Sequence, residues 1–233
     1  MRRTAASAFL ASTVATGASA LAVASVVDCT PWFVAKAMAV PLVLGVLALP
    51  SLQLHGHATL GPANAITLAR AVLVGLCAAF VGEPHADAMV WPLFFASGAA
   101  FWLDWVDGRI ARASGRASPF GARLDMELDA ITILALCGLV WQLGHAGAWV
   151  FVSGALRYLF VAAGFAWPWM NRPLFVTSRR AWVCGIQVVC LLGAILPWPV
   201  PGLTHAIALF GTASLLWSFA IDTHWLWIRR TEA

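Results

Sequence analysis

Long uncharged stretches dominate this chain, and they limit the folds that it can adopt. Residues 5 to 27 contain no charged side chain, and a second apolar stretch follows at about 33 to 54. Stretches of about 20 apolar residues are long enough to cross a bilayer as helices. We therefore predict an all-α, polytopic integral membrane helical bundle in which the first two stretches form a hairpin.

The composition supports this fold class. Only 10% of the residues are charged and 61% are hydrophobic, whereas about a quarter of the residues in a typical globular protein are charged. The net charge of +4 is spread among apolar stretches without a soluble basic domain. It therefore favours contact with anionic membrane lipids over nucleic acid. The five cysteines show no metal-binding or redox spacing.

Six core spans are predicted after the hairpin, at about 65–82, 88–106, 122–143, 148–168, 180–197 and 204–227. The predicted organisation is a transmembrane hairpin over residues 1–58 and a six-helix membrane domain over 59–233, about eight spans in total. A cleavable signal peptide is the alternative for the first span. Its uncharged run is longer than the apolar part of an ordinary signal peptide, which favours a membrane helix.

Basic residues set the predicted orientation, because those at span ends and in loops fall on one side of the membrane. They are Arg2, Arg3, Arg109, Arg112, Arg116, Arg123, Arg172, Arg179, Arg180, Arg229 and Arg230. Cytoplasmic loops carry such an excess of arginine and lysine, and Lys36 is the nearest exception. The pattern predicts a multi-pass protein of a bacterial inner membrane with residues 104–129 facing the cytoplasm.

Residues 104 to 129 concentrate charge in an otherwise apolar chain, with five of its ten acidic residues. Asp104 lies three residues before Asp107, and Asp125 four before Asp129, so each pair shares one face of a helix. Four gathered carboxylates repel one another unless a cation lies among them, and oxygen ligands suit Mg²⁺, Mn²⁺ or Ca²⁺ rather than zinc. A charged loop is the alternative, but a loop needs no fixed carboxylate spacing.

The same stretch resembles the signature DxxDGxxARx8GxxxDxxxD of the CDP-alcohol phosphotransferase family. Every fixed position is present without insertion: Asp104, Asp107, Gly108, Ala111, Arg112, Gly121, Asp125 and Asp129. At ordinary residue frequencies the chance of this agreement is on the order of 10⁻¹⁰ per window. The resemblance covers roughly residues 60 to 228 and implies a metal-dependent membrane enzyme of phospholipid biosynthesis.

The resemblance also implies the reaction and the residue roles. A phosphatidyl-type group passes from a CDP-linked lipid such as CDP-diacylglycerol to a small alcohol, and CMP is released. Mg²⁺ or Mn²⁺, as two ions, is expected on Asp104, Asp107 and Asp125, with Asp129 as a further ligand and the general base. The remaining signature residues are expected to contact the donor: Gly108, Ala111, Arg112 and Gly121.

A second match lies in the first core span. Asn64, Thr67 and Arg70 are similar to the NxxTxxR with which the family opens this span, and the resemblance implies that they help to line the donor site. Two ordinary explanations compete with it, because asparagine is a good helix N-cap and an arginine can extend its head group to the membrane surface.

Three arginines later in the chain bear on the acceptor. Arg179 and Arg180 look like the family's basic entry to the fifth core span, although anchoring at the membrane surface explains them as well. Arg157 lies in mid-span, where a lone cation is costly. It is expected either to neutralise Asp222 or a group of carbonyls, or to bind an acidic acceptor.

These cations favour an acceptor with a phosphate, most simply glycerol 3-phosphate, with an inositol phosphate or serine as alternatives. The rival from another class is a small-solute transporter, whose carboxylates would be expected near the bilayer midplane. A homodimer is an open option for the assembly.

Overall fold

A computed structural model describes residues 2–54, 59–114, 118–200 and 202–230, without the side chains of Arg2, Arg3, Leu54 and Arg112. Within these ranges the chain forms helices and no strand, which confirms the all-α prediction. The α-helices are α1 (Arg2–Ala24), α2 (Phe33–Ala48), α3 (Gly61–Ala79), α4 (Val90–Ala113), α5 (Pro119–Gln142), α6 (Phe151–Ala166), α7 (Arg179–Ile195) and α8 (Leu203–Ile228).

Five helical segments are long and apolar enough to cross a membrane, by length and composition. They are Thr4–Ala24, Phe33–Gln53, Gly61–Ala79, Ala148–Ala166 and Leu203–Ile228. The helices α4 and α5 carry the aspartates and several arginines, and α7 has only 17 residues, which explains why these three do not meet the same standard. The prediction of an integral membrane helical bundle is confirmed.

The chain divides into two compact units, and the first spans Met1–Ala135. In this unit α1 packs against α2 and α3, α2 packs against α3, and α3 packs against α4. One apolar core joins them, with Phe9 from α1, Leu44 from α2, Leu68 from α3, Ala100 from α4 and Leu124 from α5 all buried. The predicted hairpin is therefore packed directly on the first core helix.

Small residues allow the hairpin and α3 to approach closely. The hydroxyl of Ser12 donates a hydrogen bond to the carbonyl of Leu68 at 3.0 Å. A Cβ atom at Gly75 would lie 2.7 Å from the carbonyl oxygen of Ala37 and 3.0 Å from Cγ2 of Thr16. Such contacts are below van der Waals distance, so this crossing requires glycine.

A buried carboxylate after the end of α3 is paired with a lysine near the beginning of α2. Glu83 follows a turn in which Gly82 has a φ of +83°, and its side chain is paired with the ammonium of Lys36. The amide and hydroxyl of Thr30 donate to the same carboxylate at 2.6 and 2.7 Å. Burial alone would raise the pKa of Glu83, but the Lys36 and Thr30 donors outweigh it and hold this pKa below its ordinary value. Lys36, the exception in the orientation pattern, is therefore neutralised locally.

The second unit spans Leu136–Ala233, and α7 and α8 pack closely within it. Arg179 at the start of α7 donates to the carbonyl of Ser218 at 2.7 Å and to its hydroxyl at 2.6 Å. It also lies 2.5 Å from Asp222, and Arg180 lies 4.0 Å from the same residue. Arg179 therefore ties the beginning of α7 to the second half of α8.

Candidate functional site

Three polar side chains occupy one face of α3 in the first unit. Asn64, Thr67 and Arg70 are spaced by three residues, which on a helix places them in a slowly turning row. All three are buried, and Arg70 is only 2% exposed. A polar row of this kind inside an apolar helix needs polar partners on neighbouring helices.

The partners come from the facing ends of α4 and α5. The helix α4 continues to Ala113, beyond the predicted span end near residue 106, and α5 begins at Pro119 rather than near 122. Both aspartate pairs therefore lie on helices, and the connecting segment is shorter than the sequence suggested. On α5, the buried Leu124 fills the apolar core while Asp125, one position further round the helix, faces the polar row of α3.

The guanidinium of Arg70 lies among all four aspartates of the signature. Its Nη1 atom is 2.7 Å from Asp104, 3.1 Å from Asp107 and 2.7 Å from Asp125. Its Nη2 atom donates to Asp129 at 3.0 Å, and Nε donates to the carbonyl of Ala100 at 3.2 Å. One arginine from α3 thus holds α4 and α5 together through their carboxylates.

The site has a buried floor and an open rim. Arg70 and Asp107 form the floor, with side chains only 3% and 4% exposed. The rim consists of Asp104, Asp125 and Asp129, with side chains 30%, 41% and 29% exposed. A ligand can therefore reach three of the four carboxylates from solvent, while the fourth is fixed from below.

Thr67 supports the buried aspartate, and Asn64 lies in the same polar row of α3. The hydroxyl of Thr67 donates to Asp107 Oδ2 at 3.0 Å. Asn64 lies inside α3, which begins at Gly61, and its amide donates to the carbonyl of Leu60 at 2.5 Å. The two ordinary explanations are wrong, because Asn64 is not the N-cap of the helix and Arg70 points into the site rather than to the membrane surface.

Gly121 of the signature lies against Asn64. A Cβ atom at Gly121 would approach Asn64 Oδ1 to 2.9 Å, and Asn64 has little room to move because its amide is bonded to Leu60. The two sequence motifs therefore meet at this point, and the small residue of one leaves space for the amide of the other.

We expect Gly121→Ala to lower activity severalfold, because the added methyl group displaces Asn64 from the row that supports Asp107. Gly98→Ala is the matched control, since a Cβ atom at Gly98 meets no atom within 4 Å and alanine favours a helix over glycine by about 1 kcal/mol. The measurement is initial rate at saturating substrate in purified protein. Equal rates in the two variants would contradict the contact.

The donor atoms fit a divalent cation. One carboxylate oxygen each from Asp104, Asp107 and Asp125 lies within 4.8 Å of the other two, and opposite ligands of an octahedral Mg²⁺ are about 4.2 Å apart. Arg70 Nη1 lies 2.7–3.1 Å from the same three carboxylates, so an ion bound at their centre would require this guanidinium to move aside. The charges also favour a cation, because Arg70 supplies only one positive charge to four aspartates. Oxygen ligands are those that Mg²⁺ and Mn²⁺ prefer.

The other predicted site residues differ in placement. Gly108 and Ala111 lie on α4 next to the aspartates, and the side chain of Arg112 lies outside the described part of the structure. Arg157, Arg179 and Arg180 belong to the second unit. Asp222 lies 2.5 Å from Arg179, and its expected pairing with Arg157 stays a prediction.

The sequence reasoning missed the central position of Arg70. A cation in the middle of an apolar span needs a partner, and Arg70 within the candidate span Gly61–Ala79 meets this condition as Arg157 does. Its spacing of three from Thr67 was a further signal that it shares a face with a site residue.

A comparison with protein families matches this site. A family model described as CDP-alcohol phosphatidyltransferase matches residues 60–221, which include the site from Asn64 to Asp129 and well over half of the chain. The resemblance seen in the aspartate signature is confirmed. The chain belongs to the CDP-alcohol phosphatidyltransferase family, whose members are phosphotransferases that move a phosphatidyl-type group from a CDP-alcohol to an alcohol.

Proposed function

We propose that this protein transfers a phosphatidyl group from CDP-diacylglycerol to a phosphate-bearing alcohol, most simply glycerol 3-phosphate, with release of CMP. The observation that carries the proposal is the arrangement of four aspartates around Arg70, with a buried floor and an accessible rim. A diphosphate donor carries several negative charges, and the carboxylates alone would repel it. It therefore needs cations that the carboxylates can hold.

Asp104, Asp107 and Asp125 would hold Mg²⁺ or Mn²⁺, with Asp129 as a further ligand, and bound ions would neutralise the donor's diphosphate and the charge that develops on departing CMP. Arg70 and Thr67 keep Asp107 in a fixed orientation. Gly108 and Ala111 leave space for the cytidine beside α4, and Arg112 would meet a donor phosphate.

Asp129 is the proposed general base. Its carboxylate would take the proton of the acceptor hydroxyl as the acceptor oxygen bonds to the phosphorus that carries the diacylglycerol. The bond between that phosphorus and the bridging oxygen of CMP breaks, and CMP leaves with the electron pair. Asp129 suits this role because it lies on the rim and is held on one side by Arg70 Nη2.

The positions of the carboxylates weigh against the rival proposal of a transporter. The aspartates lie in the second half of α4 and the first half of α5, where the two helices are joined by a short segment. Sites in transporters are expected near the middle of the bilayer, at interrupted helices. The direct test is CMP release from CDP-diacylglycerol by purified protein with Mg²⁺ or Mn²⁺, and the absence of CMP with every acceptor offered would overturn the proposal.

The proposed orientation places the site at the cytoplasmic surface of a bacterial inner membrane, where a cytosolic nucleotide-linked donor could reach it. We expect Ser114→Cys, exposed immediately after the end of α4, to react with an impermeant thiol reagent only in opened cells. Ala88→Cys, exposed before the start of α4, should react in intact cells. Both variants need a background without the five native cysteines. Labelling of Ser114→Cys in intact cells would reverse the orientation.

The preference for a phosphate-bearing acceptor rests on Arg157, Arg179 and Arg180. The planar guanidinium group can make two charge-assisted bonds to a phosphate. Arg179 already donates to Ser218 and Asp222, so its competing role is to fasten α7 to α8. Arg180 donates to the carbonyl of Phe175 and lies at the edge of the same ion pair.

We expect Arg157→Gln and Arg180→Gln to raise the Michaelis constant of glycerol 3-phosphate by roughly tenfold or more while leaving that of the donor unchanged, because one such bond contributes about 1.5–3 kcal/mol. The measurement is separate titration of acceptor and donor. Arg179→Gln should also lower the unfolding temperature, which separates its structural role from binding. Unchanged acceptor saturation in all three variants, or a wild type that prefers serine, would contradict the phosphate assignment.

A further inference from the structure

Arginines and tryptophans form a connected cluster at the carboxyl end of α8. Arg172 donates to the carbonyls of Arg229 and, at 3.4 Å, of Arg230. The guanidinium of Arg229 lies 4.4 Å from the ring centre of Trp225, and that of Arg230 lies 3.6 Å from the ring centre of Trp227. These residues are here called the carboxyl-end cluster.

Aromatic packing extends the cluster to the segment after α6. Trp169 contacts Trp227 edge to face, with ring centres 5.6 Å apart. The rings hold Arg229 and Arg230 beside the bundle, because a guanidinium group over an indole face is favoured by about 0.5–1 kcal/mol at an exposed site. The cluster is therefore a formed surface rather than a set of independent side chains.

The cluster lies where a membrane surface would be. The candidate span Leu203–Ile228 ends immediately before Arg229, and Trp227 is 49% exposed. Tryptophan and arginine at a span end occupy the headgroup level of a bilayer, so the ligand that meets this surface most often is a phospholipid.

Charge decides which phospholipid fits. In the described part of the second unit, Asp222 is the one acidic residue, and it lies 2.5 Å from Arg179. The backbone carbonyls that Arg172 and Arg230 contact are neutral and leave their formal charge in place. Arg172 and Arg230 lie at headgroup level in a unit whose described residues carry this surplus of positive charge, so they complement a lipid whose net charge is negative, whereas a zwitterionic headgroup offers no net charge to match.

We propose that the carboxyl-end cluster, whose residues all belong to the second unit, is a binding site for the headgroup phosphate of an anionic phospholipid. Arg229 and Arg230 hold the phosphate and the tryptophans pack against the glycerol and upper acyl region. Arg172 acts as a positioning residue, since it fixes the last carbonyls of α8.

The test is native mass spectrometry of the full chain in detergent, equilibrated with equal amounts of phosphatidylglycerol and phosphatidylcholine. Wild-type protein should retain phosphatidylglycerol preferentially. The double variant Arg229→Gln, Arg230→Gln should lose roughly tenfold or more of this preference, because an arginine near an anionic headgroup favours it by about fivefold. Arg230→Gln alone, at an exposed position, should lose about fivefold and serves if the double variant does not fold.

Arg109→Gln is the matched control, because Arg109 also lies over a tryptophan ring, at 4.5 Å from Trp105, but outside the cluster. It should keep the wild-type preference. An equal loss in Arg109→Gln would show a general effect of net charge and overturn the site, as would a wild type with no preference. Displacement of the lipid by excess inorganic phosphate would overturn the assignment to a lipid.

Discussion

Replacement of Asp129 by asparagine is expected to lower turnover by about 10²–10⁴-fold, the contribution typical of a positioned general base. The amide fills the same space and can still accept a hydrogen bond from Arg70 Nη2, which now lies 3.0 Å from the carboxylate. It cannot take a proton at neutral pH. Donor binding and folding should therefore persist, and they can be measured by donor titration and thermal unfolding beside CMP release.

Asp107→Asn is the informative comparison. Asp107 lies on the buried floor and accepts from Thr67, so its loss should weaken metal binding rather than proton transfer. Activity of Asp107→Asn should recover in part at high Mg²⁺ or Mn²⁺, whereas that of Asp129→Asn should not. Equal losses in both variants, independent of metal, would remove the division of roles, and normal turnover in Asp129→Asn would remove the general-base assignment.

Replacement of Arg70 by glutamine is expected to have the largest effect on stability. Removing one partner of a buried ion pair commonly costs about 3–5 kcal/mol, and Arg70 is the partner of four carboxylates at once. A divalent cation can take over part of this neutralisation. The unfolding temperature of Arg70→Gln should therefore fall sharply in EDTA and recover with Mg²⁺, by more than the Mg²⁺ effect on wild type.

Arg109→Gln again provides a control, because its cation–π contact with Trp105 is worth only about 0.5–1 kcal/mol. Its unfolding temperature should change little, with or without Mg²⁺. If Mg²⁺ stabilised Arg70→Gln no more than wild type, Mg²⁺ would not replace the positive charge of Arg70 among the four aspartates. The proposed metal site would then lose its electrostatic support.

The aspartate signature was readable in the sequence because its spacing is local. Asp104 and Asp107 share a helix face by their separation alone, and the hydropathy pattern predicted the eight α-helices found in the described part of the chain. The ends of α4 and α5 were harder to predict, because charged residues lower the hydropathy of a helix without ending it. Apolar runs therefore mark the part of a helix that lies in lipid, not its hydrogen-bonded length.

The contacts that organise the site could not be predicted, because they join residues far apart in sequence. Arg70 reaches Asp129 across 59 positions, and Lys36 reaches Glu83 across 47. A single sequence indicates that a charged residue inside an apolar span needs a partner, but it does not identify that partner. The pair of Arg179 with Asp222, 43 positions apart, is a further contact that the sequence did not indicate.

The two sides of the helix α3 make different contacts. One side carries Thr67 and Arg70 of the site, and the other meets the hairpin through Leu68 and through Gly75, which has no room for a side chain. A close-packed contact of this kind transmits displacement instead of absorbing it. A binding protein or crosslink that tilted the hairpin is therefore expected to shift Arg70 among its aspartates without contacting the site itself.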